Sequence, residues 1–137
     1  MENTERNRIR ANYLSPVPEK DLSIGNPSDI EFIEKVNSIV RAKIGDSEIP
    51  VDELADYMNM SRSSLLRKIK GLTGLTPIEF IRQIKMNKAA ELLSDGKYRI
   101  SEVCYMVGIN KPSTFAAYFK EQFGVLPKEY IKTHKSS

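Results

Sequence analysis

The chain has 137 residues, 40% of them apolar and 28% charged, with 21 Lys and Arg against 18 Asp and Glu. This globular composition suits one domain, or one domain plus a tail, and no window approaches the ~18 apolar residues that span a bilayer. One cysteine rules out an internal disulfide and a multi-thiolate metal site, and one histidine, His134, leaves neither a zinc-binding pair nor a Ser-His or Cys-His dyad.

Residues 1–28 read as a linker or tail. Three of the seven prolines (Pro16, Pro18, Pro27) fall there. Sustained periodicity is lacking, with at most a short helix around residues 4–13, and MENTERNRIR has no apolar core of a signal peptide. A helix is expected from Ser28, with Ser28 and Glu31 as a capping box. Phe32, Ile33, Val36, Ile39, Val40 and Ile44 follow at helical spacing, and Gly45 stops the run.

Val51, Leu54, Ala55 and Met58 predict a helix of about two turns. Asn59 then suits a left-handed turn, and Ser61 can cap a helix carrying Leu65, Ile69 and Leu72, ended by Gly74. Thr76, Pro77 and Glu79 form another start signal: a cap, a proline at the first helical position and a carboxylate at the third. The helix from there runs to about Asp95 and is stopped by Gly96. Ile100, Val103, Cys104 and Val107 predict the next helix, ended by Gly108. Phe115, Tyr118, Phe119 and Phe123 predict another, ended by Gly124, and a last short helix starts near Pro127. Strand-like alternation is lacking, so the fold class is all-α, with about seven helices.

The two halves repeat. Val51, Leu54, Ala55, Met58 and Asn59 match Ile100, Val103, Cys104, Val107 and Gly108 at an offset of 49. Leu65, Ile69, Lys70, Gly74, Pro77 and Glu79 match Phe115, Phe119, Lys120, Gly124, Pro127 and Glu129 at an offset of 50. The second copy therefore has one extra residue in its turn, within Asn110-Lys111-Pro112. Each copy is a short helix, a tight turn and a second helix, which is the helix-turn-helix outline. The units span about 51–74 and about 100–124, joined by a connecting helix of about 77–95.

Residues 30–132 resemble the DNA-binding domain of the AraC/XylS family of bacterial transcription regulators. The stretches ELADYMNMSRSSLLRKIKGLTGLTPIEFIRQIKMNKAAELL and ISEVCYMVGINKPSTFAAYFKEQFGVLPKEY carry the resemblance. They look most like the version at the C-terminus of hybrid two-component sensors, and TERNRIRANYL resembles the helix that leaves an upstream receiver domain. The resemblance implies seven helices and sequence-specific binding of double-stranded DNA, with the two second helices as readers in successive major-groove segments about one turn (~34 Å) apart. It implies no reaction, metal or cofactor. RNA polymerase is a candidate further partner. An upstream regulatory domain or self-association is expected in the full-length protein. The location expected is the cytoplasm, or the cytoplasmic side of a membrane-anchored hybrid sensor, without membrane contact by this segment.

Charge agrees with a polyanionic partner. Residues 1–58 hold 7 basic and 12 acidic side chains, residues 59–99 hold 9 and 3, and residues 100–137 hold 5 and 3. At ~100° per residue, Ser63, Leu66, Arg67 and Lys70 turn away from the Leu65–Ile69–Leu72 stripe, and Ser113, Ala116, Ala117 and Lys120 take the matching places. The resemblance carries base contacts onto these eight. Arg67 can pair bidentately with guanine, Ser63 can reach bases or phosphate, and Leu66 can pack on a thymine methyl. The family commonly has a polar or basic residue where Ala117 stands, so the second reader is expected mainly to position the domain or read methyl groups. Ser61, Arg62, Lys68, Arg82, Lys85, Lys88, Lys111 and Lys128 are the phosphate candidates, and the helix N-termini at Ser61 and Ser113 offer N–H groups. The rival reading is a helical protein-interaction module that docks an acidic partner on the same basic surface.

Overall fold

The computed structural model describes residues 26–46 and 48–134. The expected linker before residue 26 and its short helix lie outside the described residues. Seven helices and no strand occur among the described residues: α1 (Pro27–Ala42), α2 (Val51–Tyr57), α3 (Arg62–Thr73), α4 (Pro77–Asp95), α5 (Ile100–Met106), α6 (Pro112–Phe123) and α7 (Pro127–His134). None is long and apolar enough to cross a membrane.

The helix ends follow local chemistry. At α1 the cap is Asn26 rather than Ser28. Asn26 Oδ1 accepts from the Ser28 N–H at 2.8 Å, and Pro27 takes the first helical position, where its missing N–H costs nothing. Asn59 takes the left-handed conformation, φ 57°, between α2 and α3. Ser61 Oγ then accepts from the Ser64 N–H at 3.2 Å and starts α3. Thr76 and Glu79 close a reciprocal box at α4, with the Thr76 N–H 3.0 Å from Glu79 Oε1 and the Glu79 N–H 3.2 Å from Thr76 Oγ1. In the second copy Leu126 replaces Thr76 and half the box survives: its N–H donates to Glu129 Oε1 at 3.2 Å.

The chain forms two compact units. One holds residues 26–42 and Ile49–Ile84; the other holds Lys43–Glu48 and residues 85–134. In the first, Val36 and Val40 of α1, Leu54 of α2, Leu65 and Ile69 of α3, and Phe80 and Ile84 of α4 are buried together. In the second, Met86, Ala89 and Leu93 of α4 meet Val103 and Val107 of α5 and Phe115 and Phe119 of α6. Each fully buried Leu, Ile or Phe side chain contributes roughly 1.5–3 kcal/mol, which fixes the rotation of its helix and hence what points outward. Helix α4, 19 residues long, gives its first half to one core and its second half to the other.

Candidate nucleic-acid interface

The reader helices are buried with the same rhythm. In α3, Leu65 and Ile69 are buried, Ser63, Arg67 and Lys70 exposed, and Leu66 half-buried. In α6, Phe115 and Phe119 are buried, Ser113, Ala117 and Lys120 exposed, and Ala116 half-buried. All eight positions expected to face bases lie on the side of their helix that the core leaves open. Within the first unit, Ser64, Arg67 and Gly71 line one flank of α3, beside a shallow hollow of about 540 Å³ that reaches Asp29 and Met60.

The turns before the readers differ by one residue. Met60 and Ile109 make the same bond, each N–H donating at 3.0 Å to a carbonyl five residues back, Ala55 and Cys104. After that, α3 starts at once from Ser61, whereas α6 waits one residue more. Its cap is Lys111 and its first residue is Pro112. Ser113 therefore lies inside the first turn and does not begin the helix as expected. Cys104 is buried, its thiol donates to the Ile109 carbonyl at 2.9 Å, and burial pushes its pKa up. It braces the turn.

Charge divides the readers. Helix α3 carries Arg62, Arg67, Lys68 and Lys70 and no carboxylate, whereas α6 carries Lys120 beside Glu121. The first can present a bidentate guanidinium; the second presents a methyl at the matching place, Ala117.

The expected phosphate set splits. Lys111 and Lys128 are exposed, as is Ser61, whose hydroxyl serves the cap. Arg62 is exposed and its Nη1 lies 3.1 Å from Asp52 Oδ1 on α2. Arg82 and Lys88 are half-buried, the latter 3.8 Å from Glu91 Oε1. Lys68 is turned toward α1. Its Nζ is 3.6 Å from Asp29 Oδ1 and 5.0 Å from the centre of the Phe32 ring, so it ties α3 to α1 instead of facing outward. Lys85 is a clear correction. It is 4% exposed, and its Nζ donates to the Asp46 carbonyl oxygen at 2.7 Å. Burial lowers its pKa, and the nearby Asp46 charge raises it by less. A buried ammonium bound to a carbonyl cannot neutralise a phosphate, so the expected basic row Arg82–Lys85–Lys88 does not form. Asp29 and the Asp46 carbonyl, which decide the cases of Lys68 and Lys85, each lie 39 residues away in sequence and could not be paired from spacing.

The helix-turn-helix domain family matches residues 54–133, more than half of the chain and both bihelical units. The chain belongs to the AraC-type helix-turn-helix family. It is 30% identical to the C-terminal domain of AraT, a response regulator from Geobacillus stearothermophilus, with a TM-score of 0.66, covering 77% of this chain and 87% of that one. It is 25% identical to the DNA-binding domain of AdpA, solved in complex with a target DNA, with a TM-score of 0.64, covering 74% of this chain and 90% of that one. It is also 29% identical to a histidine kinase of Formosa agariphila over 95% of this chain, which is 9% of the kinase. The chain spans less than half the length of the first curated relatives it matches.

Proposed function

We propose that this AraC-type chain is the sequence-specific double-stranded DNA-binding module of a bacterial transcription regulator. The observation that carries the reading is the matched burial of α3 and α6, which leaves Ser63, Arg67 and Lys70 on one and Ser113, Ala117 and Lys120 on the other open to a ligand. Arg67 is the base reader of the first unit, suited to guanine O6 and N7. Lys111, Lys120 and Lys128 contact phosphate and give binding its salt dependence. The AdpA domain, seen with a target DNA, supports the ligand class.

Similarity to a histidine kinase across nearly the whole chain supports a second part of the reading. The module is the output end of a two-component protein whose receiver and sensing parts lie upstream, and RNA polymerase is its further partner.

Selection of bound duplexes from a random pool tests the first part. The expected product is a motif of about 15–20 bp with two boxes one helical turn apart. A pool that stays random after selection would refute sequence-specific binding and favour docking of an acidic protein on the same surface.

A further inference from the structure

Lys85 is left without a place in the interface, and the segment it holds is where the chain path is least expected. Residues 43–46 follow α1, whose Phe32, Ile33, Val36 and Val40 are buried in the first core, and precede Ile49, which lies in the same core. Lys43–Glu48 nevertheless belongs to the second unit. Ile44 packs on the second core. Gly108, at φ 77°, turns its bare Cα toward the same segment. A Cβ there would overlap the Asp46 carbonyl oxygen and stand 3.0 Å from the Ile44 oxygen. Lys85 Nζ donates to that Asp46 oxygen at 2.7 Å. Burying an ammonium costs several kcal/mol unless it is partnered, so a lysine kept here for packing alone would be a poor choice. The chain thus passes between units after Ala42, before Ile49 and after Ile84. Those are three covalent crossings, of which α4 is one.

We propose that Lys85 and Gly108 form a buckle that holds residues 43–46 on the second unit, and that this buckle together with α4 restrains independent motion of the two reader units. Lys85 is then a positioning residue for binding a two-box site. With the buckle open, the residues from 43 to 48 become slack; six of them reach ~20 Å when extended, and α4 alone limits the units.

The restraint stands without the DNA reading; only its consequence for binding rests on that reading. Two arms therefore test it on the full chain. In the first, spin labels are placed at Asp56→Cys and Tyr105→Cys, matched exposed positions on α2 and α5, in a Cys104→Ala background. Pulsed dipolar spectroscopy should give a narrow distance distribution. Lys85→Met should broaden it by several ångström, within the ~20 Å that six freed residues allow. Lys85→Arg, which keeps a donor, should stay narrow, and Ile44→Ala should broaden it less. If Lys85→Met loses helix content, Ile44→Ala decides alone. Distributions as narrow as the parent's in the folded variants would overturn the buckle. In the second arm, affinity is compared on the selected duplex and on one with about 5 bp, half a turn, inserted between the boxes. The parent should prefer native spacing by about tenfold or more. Lys85→Met should lose most of that preference through weaker binding to native spacing alone. Equal losses on both duplexes would overturn the positioning role. If the parent selects no motif, the DNA reading falls while the distance arm still judges the buckle.

Discussion

The first unit closes the end of its reader helix with a hydroxyl, and the second closes the same place with a ring. Thr73 is buried; its Oγ1 donates to the Ile69 carbonyl at 2.7 Å and accepts from the Leu75 N–H at 3.0 Å. Phe123, fifty residues on, packs on Phe119 with ring centres 4.5 Å apart and on Tyr130 at 5.6 Å. Both endings then pass into a left-handed glycine, Gly74 or Gly124, whose N–H donates at 2.8 Å to Lys70 or Lys120. Unlike interiors thus hold two helices at the same rotation. The frame determines which positions face outward; the residues there determine what each unit can do. The first offers the exposed cations Arg62, Arg67 and Lys70 and no carboxylate, and the second Lys120 beside Glu121.

The comparison can be broken most severely from inside. Phe119→Ala removes the ring that touches Phe115, Phe123 and Tyr130. It should destabilise the second unit by about 3–5 kcal/mol. Hydrogen exchange read helix by helix should then lose protection in α5–α7 and retain it in α2 and α3. Equal loss in both would mean that the units unfold as one body.

The chemical inequality of the readers is the next target. Arg67→Ala should cost ~1–3 kcal/mol on the preferred duplex and relax one base position. Ala117→Arg, which copies the first reader onto the second, should add a guanine preference in the second box. Repeating the duplex selection with each variant measures both, and an unchanged motif would move base reading away from these places.

A smaller effect separates the lysines. Lys111→Ala should weaken binding to all duplexes alike and lower the slope of log affinity against log salt by about one. Lys68→Ala, which breaks the tie to Asp29 and Phe32, should leave that slope unchanged. Titrations at several salt concentrations distinguish the pair.

The smallest effect concerns the last cap. Thr76 closes both halves of its box, and Leu126 closes one. Leu126→Thr should stabilise the second unit by about 0.5–1 kcal/mol, seen as a rise in melting temperature without change in affinity.

What the sequence revealed and what it hid follow from the range of the forces involved. The stops at Gly74, Gly96, Gly108 and Gly124, the Thr76 box, the Ser61 cap and the left-handed Asn59 are settled within four residues and were legible. The expected stop at Gly45 was not, because α1 ends at Ala42 and Ile44 leaves its stripe for the second core. The outward faces of α3 and α6 were legible too, because apolar periodicity alone decides them. The α1 cap was misread, since Ser28 and Glu31 satisfy the pattern while Asn26-Pro27, two residues earlier, offers the same acceptor and a better first residue. Lys68 and Lys85 were misread for a deeper reason. A lysine on a helix looks solvated until the fold brings a distant acceptor to it, and the partners here are Asp29 and the Asp46 carbonyl, the latter 39 residues away. Charge on a helix face is therefore a weaker guide to a phosphate contact than charge known to be exposed.

The added residue of the second turn has a practical consequence. Asn110 is exposed, and it enters after the Ile109 N–H has already bonded to Cys104 and before Lys111 begins α6. The insertion is absorbed there, and α6 keeps the phase of α3. Reader helices of this design should accordingly behave as interchangeable cassettes: the outer residues of one can be transplanted onto the other, or onto a related scaffold, to compose new operator preferences without repacking either interior.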